Sequence, residues 1–485
     1  MEKTVKAPQL NPLGYEKIGK LILKFSIPAV ASNLVNTIYN IEDQVVIGYG
    51  IGYDGIAATT VAFPLTTFAA AITMLIAVGT ASNFNLKQGA GEKDKAERFA
   101  ASGLTLSVIS GIVISIIALL FLEPLLYAFG ANDEIIDMAY LYTFITIFGI
   151  PFQVFTMTAC HLIRADGSPN WTMLCIMAGA VFNIVFDPLI MFIFGWGMWG
   201  VALTSAIGPM ISAGLALIYF LRGMKTIDLK FEDFIPKWPV IKSISTLGIS
   251  GFGNMISMTV VNIVLNNTLK YYGDQSRYGS TIALGAVGAI SKIGTIFVAF
   301  VAGVGIGCQP IIGYNYGARK YDRVLKTIKT TLTVGTVLAT LIFACFQLFP
   351  RSIISIFGQG DELYFEFAER YLRIFMFMTF ANAIQPMAGG YFTSTGRAVV
   401  GMFMTLTRQI IFLLPLIIIL PRVLGGIDGV VYAGPISDAI AMLLAVFVMA
   451  REFRRLKAMP AAPVDESLTA EYEDADKHRW DFDLD

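Results

Sequence analysis

The feature that most constrains this chain is a duplication. Gly79, Asn83, Gly91 and Lys93 recur about 226 residues later as Gly305, Gln309, Gly317 and Arg319. Phe129-Gly130 ahead of Asp133-Glu134 recurs as Phe357-Gly358 ahead of Asp361-Glu362. Gly167 recurs as Gly396, and Gly197 with Gly200-Val201 recurs as Gly426 with Gly429-Val430, about 229 residues on. Both copies consist of apolar segments long enough to cross a bilayer. Duplicated sets of hydrophobic segments mark many secondary transporters, whose halves move about a central site. Transport is therefore the leading expectation.

With 55% hydrophobic and 14% charged residues over 485 positions, the chain lies far from the roughly 25% charged average of soluble proteins. It belongs in a lipid bilayer. About 20 helical residues cross the ~30 Å hydrocarbon core, and about twelve such segments are expected. They lie near 21–49, 55–84, 99–122, 136–160, 171–194, 198–221, 244–269, 279–308, 327–349, 365–388, 398–420 and 427–450. Helices are required because backbone groups cannot face lipid unpaired, and the alternation of a membrane β-barrel is absent. The expected fold is all-α and polytopic, in two pseudo-symmetric six-helix lobes.

Five domains are expected: an N-terminal segment 1–20, a first lobe 21–222, a linker 223–243, a second lobe 244–452 and an acidic tail 453–485. Basic residues cluster at 3–24, 87–98, 222–242, 319–329 and 451–457, whereas 99–163 holds neither Lys nor Arg. Since Lys and Arg are retained on the cytoplasmic side, both termini are expected there, in a multi-pass protein of the cytoplasmic membrane. No cleavable leader is expected: the first twenty residues are polar and basic. The formal net charge is zero and no basic tract interleaves with aromatics, so no nucleic-acid partner is expected. Cys160, Cys175, Cys308 and Cys345 lack metal-ligand spacing and read as packing residues. The tail's excess of Asp and Glu cannot build a core and reads as solvated.

Charges inside spans are costly and mark function by default. Asp187 leads, in Asn183-Ile-Val-Phe-Asp187-Pro188, where i, i+4 spacing sets amide and carboxylate on one helical face. Pro188 frees the carbonyl of residue 184, so hard oxygen ligands for a small cation, or a proton acceptor, converge there. Asn36, Asn40 and Asp43 fall at i, i+4 and i+7 and line one stripe of the first span, with Tyr39 beside them. Glu42 points about 100° away and reads as interfacial. The duplication is its own control: Asp187 corresponds to Leu416 and Asn183 to Phe412, and Asp43 maps into 264–266, where no acid stands. Cation chemistry is thus expected in the first half. In the second half, Lys292 and Arg408 can pair with Asp438 or meet substrate. His161 and Arg164 read as interfacial, and the recurring glycines as tight turns or close helix contacts.

These residues resemble the multidrug and toxic compound extrusion (MATE) family. The likeness rests on Asn40 through Asp43, Asn183 to Asp187-Pro188, Gly200-Val201-Ala202, and Gly305 through Gln309-Pro310 to Gly317-Ala318. It covers about residues 15–455, and Arg408-Gln409 with Pro415 resembles the MepA-like branch. The resemblance implies a V-shaped cleft, Gln309 among its candidate lining residues, and export of bulky, often cationic amphipathic compounds in exchange for Na⁺ or H⁺. It implies a cation site, open to Na⁺, at Asp43, Asn183 and Asp187, with a hydroxyl from Ser205 or Thr204. No cofactor beyond the coupling ion is implied, and the chain is expected to work as a monomer. Glu42 beside Asp43 departs from the family's usual apolar residue.

Two alternatives follow from the residues. A flippase for a lipid or lipid-linked sugar would use basic groups such as Lys292 and Arg408 on phosphates. An intramembrane enzyme would need a nucleophile or metal cluster at depth, and neither H-E-x-x-H nor G-x-S-x-G occurs.

Overall fold

A computed structural model describes residues 11–357 and 361–460. The expected acidic tail lies outside the described residues beyond position 460, as do residues 1–10 of the N-terminal segment. The first half comprises α1 Ile18–Gly50, α2 Tyr53–Gly89, α3 Lys93–Leu120, the short α4 Leu122–Ala128, α5 Ile136–Ile147, α6 Ile150–Ala165, α7 Pro169–Pro188 and α8 Gly197–Arg222. The second comprises α9 Trp238–Asp274, α10 Gly279–Gly317, α11 Tyr321–Leu348, α12 Pro350–Phe357, α13 Glu362–Phe375, α14 Ile384–Ser394, α15 Ala398–Leu406, α16 Leu414–Leu424 and α17 Ile427–Ala458. No strand occurs among the described residues. The protein is an all-α polytopic membrane protein.

Among the described residues ten helices are long and apolar enough to cross a bilayer, eleven if α5 and α6, bent by 46° at their junction, count as one span. The segment expected at 365–388 departs from a continuous helix. It runs as α13, a 3₁₀ stretch Phe377–Ala381 and α14. The cause is local: Glu366, Glu369, Arg370 and Arg373 make α13 too polar for a lipid-facing span, and Pro386 near the start of α14 supplies no backbone donor. Residues 147–150, where the α5–α6 bend falls, correspond through the repeat to 376–379. The duplication therefore preserves the break as well as the helices.

The halves meet where α2 packs on α9, α1 on α10 and α2 on α10. Glycine allows the approach. A Cβ on Gly79 would lie 2.0 Å from the Ile244 carbonyl oxygen, and one on Gly248 would lie 1.7 Å from that of Leu75. Hydrogen bonds cross the same seam: Ser243 donates to Asn83 Oδ1 at 2.8 Å, Ser26 to the Val304 carbonyl at 3.5 Å and Asn33 to the Ala299 carbonyl at 3.5 Å. All but the Asn33–Ala299 bond, which lies mid-helix, fall toward the end at which α1 begins and α17 finishes, here termed the basic end.

Two straps reinforce that end. The turn Pro12–Gly14 ahead of α1 lies on the second half, with Leu13 buried among Cys308, Ile311, Tyr321 and Val324. Arg323 donates to the carbonyls of Glu16 at 2.6 Å and Leu13 at 3.2 Å and to Asn315 Oδ1 at 3.0 Å, while Asn315 donates to the Leu13 carbonyl at 2.8 Å. The turn Phe231–Phe234 ahead of α9 lies on the first half, where Ser102 and Thr105 donate to the carbonyls of Asp233 and Phe234 at 3.2 and 2.8 Å. The linker is anchored again at Asp166, which accepts from the backbone N–H of Lys225 at 2.6 Å and of Thr226 at 3.0 Å and from the Tyr219 hydroxyl at 2.7 Å. Burial pushes the Asp166 carboxyl up, against the pull of these hydrogen bonds. Each half thus begins with a strap bound to the other half.

Candidate functional site: a carboxylate pocket in the first half

Asp187 sits at the end of α7, where the helix passes through Pro188 into a π-helical turn, Leu189–Ile193. Proline cannot donate to the helical ladder, and the wider turn accommodates the lost bond. The α1 residues Tyr39, Glu42 and Asp43 face α7 and α8 across the helix contacts of the first half. Asp187 and Asn183 are buried, Asp43 is 7% exposed, and Glu42 is half-buried.

The polar groups of this pocket are poor in partners. Both carboxylate oxygens of Asp187 and of Glu42, Oδ1 of Asp43, Oδ1 of Asn183 and the Ser205 hydroxyl are buried without a hydrogen bond. Asp43 Oδ2 accepts from Gln44 at 3.1 Å. Asp187 faces Thr204, and Tyr39 faces Ser205 and Asn183, without hydrogen bonds of good geometry. Thr204 instead donates to the Val201 carbonyl at 2.8 Å, leaving Ser205 as the hydroxyl free for another partner. Asp187 lies close enough to feel the charge of Asp43 and of Glu42, and no basic side chain among the described residues offsets them. Three acids within range of one another's charge are thus left without a counterion among the described residues.

The structure thus brings together Asp43, Asn183, Asp187, Ser205, Thr204 and Tyr39, and it draws Glu42 inward from its expected interfacial position. Asn36 and Asn40 stand apart from the pocket. Both are exposed, with Asn40 donating to the Asn36 carbonyl at 2.6 Å. Exposed polar side chains also mark α9 at Asn254 and Asn262 and α10 at Ser291, Lys292 and Thr295. Polar groups at membrane depth face water-filled space rather than lipid, so these residues outline a cleft between the halves. Sequence reasoning missed Asn254, Asn262, Ser291 and Thr295, although each is a polar residue within a predicted span. It also missed Tyr142 of α5, which faces Ser205 near Tyr39, Asp43 and Asp187.

In the second half, Arg408 Nε pairs with Asp438 Oδ1 at 2.5 Å, and Asn382 donates to Asp438 Oδ2 at 2.8 Å. Lys292 takes no part in that pair. Gln309 lies elsewhere, at the seam near the basic end. A crevice of about 670 Å³ between α11, α13 and α17 is lined by Phe377, Met378, Tyr432 and Ile436 and holds no acid, so it lies apart from the carboxylate chemistry. Among the described residues no group of three or more His, Cys, Asp and Glu side chains is placed to hold a metal ion.

Duplicated helical halves and a run of apolar helices long enough to span a bilayer define a membrane transporter. The MatE family model matches residues 28–189 and 252–419, one stretch in each half. The chain belongs to this family. It is 23% identical over 446 residues to the multidrug export protein MepA of Staphylococcus aureus (strain MRSA252), covering 92% of this chain and 96% of that protein. MepA of Staphylococcus haemolyticus (strain JCSC1435) is 23% identical over 461 residues, covering 95% and 100%. Among solved structures, one described as the "outward-facing conformation of a multidrug resistance MATE family transporter of the MOP superfamily" superposes with a TM-score of 0.86 at 22% identity, covering 94% of this chain and all of the other. A MOP superfamily transporter from Pyrococcus furiosus Vc1 (DSM3638) gives 0.85 at 22% identity, with the same coverage.

Proposed function

We propose that the chain is a cation-coupled antiporter that exports bulky, often cationic amphipathic compounds across the cytoplasmic membrane by alternating access. Both termini lie on the cytoplasmic side, and the monomer is the working unit. The observation that carries this reading is the uncompensated acid pocket formed by Asp43, Asn183, Asp187 and Ser205. A proton or Na⁺ entering it neutralises charge that the protein leaves unpaired, and the neutralised pocket favours a different packing of α1 against α7 and α8. A cationic substrate is drawn to the same negative field from the cleft. The two occupants thereby oppose each other, which is the thermodynamic requirement for exchange. The relatives known as multidrug export proteins support the substrate class.

Closure at the basic end, with cleft residues exposed toward the other end, supports assigning the structure to the state open to the outside. The flippase reading loses support from the geometry. It calls on Lys292 and Arg408 for phosphates, and Asp438 already occupies the Arg408 guanidinium. In a strain lacking its own exporters, Asp187→Asn is expected to abolish drug efflux while the protein still reaches the membrane at normal levels. Normal efflux by that variant would overturn the assignment.

A further inference from the structure

His161 and Arg164, expected at an interface with solvent, are instead buried at 8% and 5% exposure near the end of α6. Both line a small cavity with Ala81, Ser82 and Asn85 of α2 and Ile306, Gln309 and Pro310 of α10. The cavity therefore lies on the seam between the halves, toward the basic end. Among the described residues Arg164 forms no hydrogen bond or ion pair, and none of their carboxylates is close enough to offset its charge. Asp166 is committed elsewhere, to the linker. The other polar side chains that line the cavity, Ser82, Asn85, His161 and Gln309, also make no hydrogen bond, and Asn85 Oδ1 is fully buried without a partner.

Five polar side chains line one cavity with no partner among them, whereas the part-buried basic side chains Arg397 and Arg408 are paired, with Glu452 and Asp438. A buried guanidinium without a counterion is destabilising, and leaving the surrounding amides unsatisfied adds to that. Its position in the last turn of α6 offers only the partial negative charge of a helix end. The cavity volume, about 10 Å³, is about what the centre of one water-sized group needs. That size favours a single small ion over a larger anion.

We infer that this cavity is a binding site for a single small inorganic anion of chloride size, held by Arg164 with His161 and Gln309 as neutral donors. Because α2 and α6 belong to one half and α10 to the other, the anion bridges the halves and stabilises their closure at this end. Separating them dismantles the site, so the anion binds this state in preference to one in which the seam is open.

The test uses the purified full chain at constant ionic strength, with chloride replaced stepwise by gluconate, an anion too large for the cavity. Equilibrium dialysis with radioactive chloride and thermal unfolding are read together. Saturable chloride binding is expected, with unfolding temperature rising over the same concentration range and bromide substituting for chloride. Arg164→Gln is expected to raise the half-saturating concentration at least tenfold and to remove the thermal response. Gln309→Leu keeps the buried charge but deletes a donor, and it is expected to raise half-saturation several-fold. It provides the comparison if Arg164→Gln fails to fold. Absence of saturable chloride binding to the natural chain would overturn the inference, as would unchanged half-saturation in both variants. Neither readout depends on drug transport.

Discussion

Gly248→Ala adds one methyl group where α9 meets α2. That carbon would lie 1.7 Å from the Leu75 carbonyl oxygen and 2.5 Å from its carbon, both backbone atoms that no rotamer change can move. Restoring ordinary contact requires a local separation of roughly 1.5 Å. Gly79, on the opposite helix, meets the Ile244 carbonyl oxygen at 2.0 Å, so the two glycines guard a single approach. Overpacking of this kind costs about 1–3 kcal/mol, and the upper end applies here because two helix backbones must part. The seam also carries the Ser243–Asn83 hydrogen bond at 2.8 Å, which stretches with it. Gly79→Ala should cost a similar amount. The double variant should cost clearly less than the sum, since a seam already opened by one methyl accommodates the other. The assay is thermal unfolding of the natural chain, both single variants and the double, with drug efflux measured alongside. Efflux should fall in each single variant because the closed basic end is destabilised. Full stability of Gly248→Ala, or strict additivity of the pair, would refute the argument that these glycines set the distance between the halves.

The strap ahead of α1 depends on Arg323, whose guanidinium meets the Glu16 and Leu13 carbonyls and Asn315; Arg323→Ala should cost about 3 kcal/mol of local stability and speed tryptic cleavage at Lys17 and Lys20, and an unchanged cleavage rate would count against it. The linker anchor Asp166 accepts backbone bonds from Lys225 and Thr226 on separate oxygens; Asp166→Asn leaves only one acceptor oxygen and should accelerate hydrogen exchange at one of those amides about tenfold, which amide-resolved exchange can check. Arg408→Gln strands a buried carboxylate at Asp438 and should cost about 3 kcal/mol, whereas adding Asp438→Asn should recover much of it; a double variant no more stable than the single would show that the pair is not the relevant interaction.

The parts of this fold most legible in the sequence were those with a local signature. The duplication of Gly79 and Gly167 as Gly305 and Gly396 announced the two halves, and apolar run length located most helices. Asn183 and Asp187 stood out because an i, i+4 polar pair on one face of an apolar helix is costly to bury unless it meets a polar neighbour or an ion. The segment at 365–388 was harder, because its average hydropathy conceals a polar first half and a proline-weakened second. The straps were invisible: Leu13 meets Cys308 and Arg323 only after the halves assemble, and no spacing rule connects residues about 300 positions apart. His161 and Arg164 misled for a related reason. Their place near a helix end suggested solvent, but packing of α2 and α10 over them made a buried polar cavity. Whether a polar residue near a helix end is wet or enclosed is decided by neighbours from distant sequence.

In the proposed function, the acid pocket of the first half couples an inward-moving cation to drug export. The most direct test is movement of a fluorescent lipophilic cation in proteoliposomes driven separately by a pH gradient and by a Na⁺ gradient, with Asp187→Asn in parallel. The natural chain should transport under at least one gradient, and the variant should lose that transport. Gradient-driven transport that persists in Asp187→Asn, or none under either gradient, would contradict it.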